Sequence, residues 1–267
     1  EYKYRVPMNK SVEYPEKELP VKPYTLGVWL GDGGKTTTEI TCSDEDIKEM
    51  MDNIEKDGYL TKKYFKKDRV SSIGVDIGLG YKGNGNKNRL REQLREINVF
   101  KNKHIPQIYL QSSVEQRMEL LRGLMDTDGT VTKSGQCEFT QSKKIIIDGV
   151  SELLFSLGIK HNVIKDFNML NGKKFWCYRI FFYVPKSKSC FKLQRKHKRL
   201  KDKLSSRMEN KSIINIRKIE TVDTQCITVD NNDSLYLAGD NFTVTHNTSF
   251  AAALAWALAL YYRRSGS

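Results

Sequence analysis

Two stretches of this chain share one skeleton. Thr25-Leu26-Gly27-Val28-Trp29-Leu30-Gly31-Asp32-Gly33 and Leu121-Arg122-Gly123-Leu124-Met125-Asp126-Thr127-Asp128-Gly129 align without a gap, Gly27 on Gly123 and Asp32 on Asp128. Each is an apolar run at helical spacing with a glycine inside it and an Asp-Gly pair at its end. A glycine within a helix costs about 1 kcal/mol relative to alanine. It is tolerated where a second backbone passes too close for any side chain. The terminal carboxylates carry a cost of their own, because the C-terminal end of a helix is negative. Acids placed there against the dipole point to a task outside the helix, such as holding a hard divalent cation through oxygen. Either stretch alone reads equally well as a buried helix closing in an Asp-Gly turn.

Each copy leads into the same succession of elements. After Asp32 the pattern predicts a strand over 36–41, then a helix opened by Ser43 with Asp46 three residues on and closed at Gly58. Strands over 59–65 and 71–79 come next. After Asp128 it predicts a strand over 136–140, a helix opened by Ser142 that runs to Leu157 and closes at Gly158, and a strand over 159–167. An Asn171-Gly172 turn then leads into a strand over 174–184. Both copies place Thr-x-Ser before the helix, Thr41 to Ser43 and Thr140 to Ser142. A repeat of roughly a hundred residues with two acid-tipped helices predicts an α+β monomer with an internal pseudo-twofold.

On these residues, the span from Tyr24 to about Met208 resembles the LAGLIDADG homing endonucleases in their single-chain, two-motif form. The resemblance implies two pseudo-symmetric αββαββ-type repeats whose motif helices meet at their glycines. It implies that Asp32 and Asp128 hold a divalent cation, Mg²⁺, over the scissile phosphates of a double-stranded DNA target. Such a cation activates water and stabilises both oxygens of an in-line displacement. Asp126 stands at the family's other acidic position, usually structural, and Leu30 occupies it in the first copy, so Asp126 is not assigned to catalysis.

Lys103-His104-Ile105-Pro106 reads by itself as a turn before a helix, with a solvated lysine. In intein endonucleases a lysine in such a Lys-x-Ile-Pro stretch stabilises developing charge, which implies that role for Lys103. Its mate falls within 194–199, with Lys196 the first choice and Lys198 the reserve.

Charge supports a polyanionic partner. The chain has 45 Lys and Arg against 32 Asp and Glu, a net charge of +13. Lys186, Lys188, Lys192, Arg195, Lys198 and Lys201 belong to a basic run through Arg207 in which Asp202 stands nearly alone. Phosphate contacts would set affinity and make it salt-dependent. Reading of base sequence would fall to the strands, since a β-ribbon fits the major groove. The five cysteines show no C-x-x-C and no paired spacing, which reads as reduced thiols, no zinc site and a cytoplasmic setting; the host resemblance given below implies a prokaryotic or phage-infected cell. His104, His161 and His197 are isolated and read as surface or boundary residues.

The two ends differ in character from the repeats. Residues 1–23 are proline-punctuated and read as an extended linker. Residues 225–229 and 234–248 read as two strands and a turn ending in His246-Asn247-Thr248. An asparagine amide can attack its own carbonyl and cleave the backbone while a neighbouring imidazole moves the proton, and the next hydroxyl can accept an acyl group. This tail resembles the C-terminal splicing block of inteins. By that resemblance Asn247 cyclises, His246 assists and Thr248 is the first residue of the C-extein, although Ser234 stands where the family often has a histidine.

The Ala-rich helix expected after Thr248 is too short for a membrane span. Thr248-Ser249 before it resembles the residues just beyond the lysine of a P-loop, so the expected host is a P-loop ATPase such as a phage terminase large subunit or a helicase. The N-terminal splicing blocks do not occur in the sequence, so the chain is expected to splice in trans with an N-terminal intein fragment or to be a truncated piece. The expected division is a linker over 1–23, repeats over 24–110 and 111–210, a Hint-type splicing segment over 211–247 and a C-extein piece over 248–267. The competing expectation is a catalytically decayed, DNA-binding module that serves only as intein scaffold.

Overall fold

The computed structural model describes residues 4–65, 71–76, 88–170, 172–218, 220, 223 and 227–246. The elements begin with β1 (Arg5–Pro7), α1 (Pro23–Asp32), β2 (Glu39–Cys42), α2 (Ile47–Lys56), β3 (Thr61–Phe65) and β4 (Ser71–Val75). They continue with α3 (Arg89–Glu96), α4 (Gln107–Leu110), α5 (Val114–Thr127), β5 (Gly129–Val131), β6 (Cys137–Gln141) and α6 (Lys144–Ser156). They end with β7 (His161–Leu170), β8 (Lys173–Phe182), α7 (Gln194–His197), β9 (Asn210–Ser212), β10 (Leu235–Ala238) and β11 (Thr243–His246). The chain divides into two units, one spanning Lys10–Met208 and the other made of Glu1–Asn9 with Glu209–Ser267.

The larger unit is built on the pair α1 and α5. Helix α1 starts with Pro23 in its first turn, where a missing N–H costs nothing. It is buried on every side from Pro23 to Leu30, as befits a helix with neighbours all round. Helix α5 is opened by a reciprocal capping box between Ser113 and Gln116. The two axes pass so closely at Gly27 and Gly123 that neither position has room for a side chain. A methyl on Gly27 would sit 2.9 Å from Leu124 N and 3.0 Å from Gly123 Cα, and one on Gly123 would sit 2.8 Å from Val28 N. Each would also strike a carbonyl oxygen, of Leu120 and Tyr24 respectively.

A sheet comes after each motif helix. The first has the order β2-β4-β3 and the second β5-β6-β8-β7, all antiparallel. Ile40, Ile73 and Val75 in the first, and Cys137, Phe139, Ile180 and Phe182 in the second, are buried in the core with Ile54, Val150 and Leu154 of α2 and α6. The second copy follows the αββαββ order. The first departs from it at one strand: β5 pairs Gly129 with Phe139, whereas its counterpart shrinks to a single bridge, Gly33 to Ile40.

Both second helices begin later than their serines predict. Ser43 Oγ donates to Asp46 Oδ2 at 2.9 Å, and Asp46 is the residue before α2. Ser142 bonds to the Gln141 side chain through both its N–H and its hydroxyl, and α6 starts after Lys143. In each case a local side-chain bond wins over the cap. The glycine stops are realised, with φ of +85° at Gly58 and +70° at Gly158. Residues 77–79 of the expected strand, and Asn171 of the expected turn, lie outside the described residues.

The extended stretch from Lys10 to Lys22 lies along this unit. Val12 N donates to Ser156 O at 2.8 Å and Val21 N to Tyr109 Oη at 3.0 Å. Arg117, with no exposed surface, donates to Ser112 O, to Ser156 O and Oγ, and to Val12 O, so carbonyls replace the water around its charge.

In the smaller unit β1 pairs antiparallel with β9, and β10 with β11 in the register Leu235 to His246. Residues 227–229 carry no strand, and the hairpin lies wholly within 235–246. Among the described residues no helix is long and apolar enough to cross a membrane. Asn247, Thr248 and the expected Ala-rich helix lie outside them.

The close crossing makes a prediction of sign. Gly→Ala within a helix ordinarily stabilises by about 1 kcal/mol. At Gly123 the collision is with backbone, which cannot swing aside, so Gly123→Ala destabilises by about 1–3 kcal/mol. Urea unfolding of the two proteins measures this, and a higher midpoint for the variant refutes the crossing.

Candidate active site

The site forms where the two motif helices end. Asp32 is the last residue of α1, and Asp128 directly follows α5. Since the helices cross at matching glycines, their acidic ends emerge side by side. A methyl on Gly31 would stand 3.5 Å from Asp128 Oδ2. Burial pushes the Asp128 carboxyl up to about 7, and the charge of Asp32 adds to that shift, while Lys103, a hydrogen bond from Gln141 and Lys196 oppose it. Asp32 is also raised by burial, against the pull of Lys103 and Lys196. Two desolvated carboxylates that repel each other are poised to accept a cation.

Two lysines close the ends of the helices. Lys103 Nζ donates to the carbonyls of Leu30, Gly31 and Gly33 at 3.0, 3.2 and 2.6 Å. Lys196 Nζ donates to those of Met125, Asp126 and Gly129 at 2.9, 2.7 and 2.7 Å. Each ammonium thus meets carbonyls that a helix C-terminus leaves without partners, at the negative end of its dipole. Both side chains are buried. Burial lowers Lys103 to about 8 against the opposing pull of Asp128 and Asp32, and it lowers Lys196 as well. Lys198, by contrast, is exposed just past α7.

Asp126 takes no part in the carboxylate pair. It is buried, receives the Tyr24 hydroxyl at 2.9 Å, and accepts from Lys192 N at 3.1 Å and Leu193 N at 3.2 Å. Burial raises it to about 6, and these hydrogen bonds hold it down. Asp126 therefore ties the loop that carries Lys196 to the end of α5. Leu30, at the matching place in α1, is apolar and buried.

Further residues enter the site unannounced. Gln141 Nε2 donates to Asp128 Oδ2 at 2.9 Å. The repeated Thr-x-Ser places Gln141 opposite Cys42, so aligning the two copies there is the signal that finds it. Arg195, next to Lys196, forms a two-pronged pair with Asp46, Nε to Oδ1 and Nη2 to Oδ2 both at 2.5 Å. No spacing rule links residues so far apart in sequence.

Parts of the basic run belong to the fold. Lys192 Nζ lies 2.5 Å from Glu119 Oε2, Arg199 donates to Val131 O, and Lys196 and Arg195 are engaged with carbonyls and with Asp46. On the strands, Arg179 is held by Glu138 and Asp166, whereas Lys62, Phe65, Lys174, Phe175 and Trp176 are exposed. His246 ends β11 opposite Leu235. Cys137 Sγ and Cys190 Sγ approach to 3.9 Å inside the core, a proximity that cysteine spacing does not reveal. Among the described residues no cluster of three or more His, Cys, Asp or Glu is arranged around a metal position.

Residues 115–188 match the model of the LAGLIDADG-like domain. The replicative DNA helicase DnaB of Mycobacterium intracellulare is 34% identical over 244 residues, which are 90% of this chain and 37% of that protein. The homothallic switching endonuclease of Saccharomyces cerevisiae is 28% identical over 181 residues, 58% of this chain and 30% of that protein. The chain thus spans about a third of the length of these curated relatives. A solved structure of mesophilic variants of the homing endonuclease I-DmoI aligns over 62% of this chain and 83% of that one, at 15% identity and a TM-score of 0.39. The stretch from the second motif helix to the basic loop is thus similar to a LAGLIDADG-like domain.

Proposed function

We propose that this chain carries the C-terminal splicing block of an intein together with an endonuclease that cuts double-stranded DNA at a specific site with the help of a divalent cation. The observation that carries the nuclease reading is the pair Asp32 and Asp128 at adjoining helix ends, flanked by the buried ammonium groups of Lys103 and Lys196. The likeness to a switching endonuclease supports it.

Two carboxylates, with no third acid clustered beside them among the described residues, fit Mg²⁺, which keeps several waters and shares its shell with substrate phosphate. When bound there, the cation would supply an activated water and neutralise developing charge. The protein's own part is positioning and electrostatics. Gln141 fixes one oxygen of Asp128, so that carboxylate presents a defined edge. Lys103 and Lys196 supply fixed positive charge beside the acids, without reorganisation during the reaction. The +13 balance favours a phosphate backbone as partner.

Splicing is the second half of the proposal. The 34% identity to a replicative helicase along 90% of this chain is compatible with an intein inserted in such a host. The hairpin β10–β11 delivers His246 to the strand end that precedes Asn247. There the Asn247 amide nitrogen would attack its own carbonyl, closing a succinimide and releasing the amine of Thr248, with His246 moving the proton. The Thr248 hydroxyl would first have accepted the upstream segment from the N-terminal splicing block.

Asp32→Asn and Asp128→Asn each abolish cleavage of a duplex spanning the uninterrupted insertion site in Mg²⁺, while gel-shift affinity is retained; undiminished cutting by either variant refutes the pair. A wild-type protein that binds this duplex without cutting it points instead to a decayed module. Binding weakens linearly on a log–log plot against salt, and a flat plot removes phosphate contact as the source of affinity. Asn247→Ala blocks release of the peptide that starts at Thr248 when the chain is mixed with an N-terminal fragment, as read by mass; unchanged release rules out cyclisation.

A further inference from the structure

The two lysines of the site are not held alike. The stretch that carries Lys103 leans on the second repeat through apolar contact: Ile105 packs against Gly149 of α6, where a methyl would come within 3.1 Å of Ile105 Cβ. A polar tie to α6, Gln107 Nε2 to Glu152 Oε1 at 3.2 Å, is exposed. The loop that carries Lys196 is gripped by charge. On one side Asp126 of α5 accepts from Lys192 N and Leu193 N. On the other side α2 of the first repeat supplies Glu49, which accepts from Gln194 N at 3.0 Å, and Asp46, which pairs with Arg195. Asp46 is only 8% exposed, and Arg195 is the residue next to Lys196. The same Asp46 opens α2 just beyond Cys42, so the first repeat's own chain holds the second repeat's lysine.

We propose that Asp46 is a positioning residue: through Arg195 it sets Lys196, and it does so for one half of the active site only. The proposal rests on the nuclease reading. A two-pronged carboxylate–guanidinium pair, here with its carboxylate buried, fixes direction as well as distance. Without it, residues 194–196 keep the backbone tie to Glu49 and the looser approach of Arg195 Nε to exposed Glu45 at 3.5 Å, but lose the two-pronged pair that orients Arg195. Lys196 then drifts from its three carbonyls, and a displacement of about 1 Å at such a group costs up to about a hundredfold in rate. Lys103, anchored elsewhere, keeps its place. On that reading each DNA strand is cut beside a different lysine, so the two strands respond differently.

The test is strand-resolved cleavage of a duplex labelled on both strands, with wild type, Asp46→Asn, Lys196→Ala and the double variant. Asparagine retains the shape of Asp46 but cannot receive both prongs of Arg195. Asp46→Asn is expected to slow one strand by roughly ten- to a hundredfold relative to the other, so nicked duplex accumulates, with DNA affinity unchanged. Lys196→Ala is expected to slow the same strand, and adding Asp46→Asn to it to change nothing further. Equal slowing of both strands, or an effect of Asp46→Asn that persists undiminished beside Lys196→Ala, overturns the proposal, since a general loss of structure would act that way. Should wild type fail to cut either strand while binding the duplex, the nuclease reading itself falls.

Discussion

Everything else in the larger unit depends on one contact, the crossing of two helices at Gly27 and Gly123. With no side chain on either glycine, the backbones approach to where only hydrogens separate them. That closeness has a cost in helix propensity and gives a benefit in burial: Tyr24, Leu26, Val28 and Trp29 on one helix and Leu120, Leu121 and Leu124 on the other are fully buried around it. It also fixes the register between the halves. Once Gly27 faces Gly123, Asp32 and Asp128 are brought to the same end of the pair, because each lies five residues beyond its glycine. The carboxylate pair is a geometric consequence of the packing.

A carboxylate at a helix C-terminus is unfavourable, and two together more so. The protein offsets this with cations placed at the same ends. Lys103 and Lys196 each spread a positive charge over three carbonyls, two in the last turn of the helix and one just past it, satisfying acceptors and countering the dipole. The lysines lose hydration in doing so, which is why their protons are held less tightly than in water. The result is a cluster of two acids and two bases in which burial shifts each group toward its neutral form and the opposite charges pull it back, while the charge of Asp32 pushes Asp128 further up.

The halves are alike in plan and unlike in detail. Asp126 ties the second lysine loop, and Leu30 has no means to do the same for the first. Gln141 orients Asp128, and Cys42 stands at its counterpart. The first repeat also forgoes the short strand that β5 forms in the second.

The sequence alone determined the two motif helices and the helix and two strands that each repeat carries further on. Interior glycines, terminal Asp-Gly and the repeated order of helix and strand are local patterns, and local patterns are legible because they arise from backbone geometry and periodicity. Lys103 was legible for a similar reason, since it sits in a short motif. Only the tertiary structure decided which lysine of the basic run turns inward, which acid ties a loop and which completes a pair. These choices depend on residues such as Asp46 and Arg195 that meet across 149 positions, and no periodicity reports such a meeting. The helix starts went astray on a smaller scale for the same kind of reason: Ser43 and Ser142 found side-chain partners at hand, and a competing hydrogen bond is invisible until the neighbours are in place.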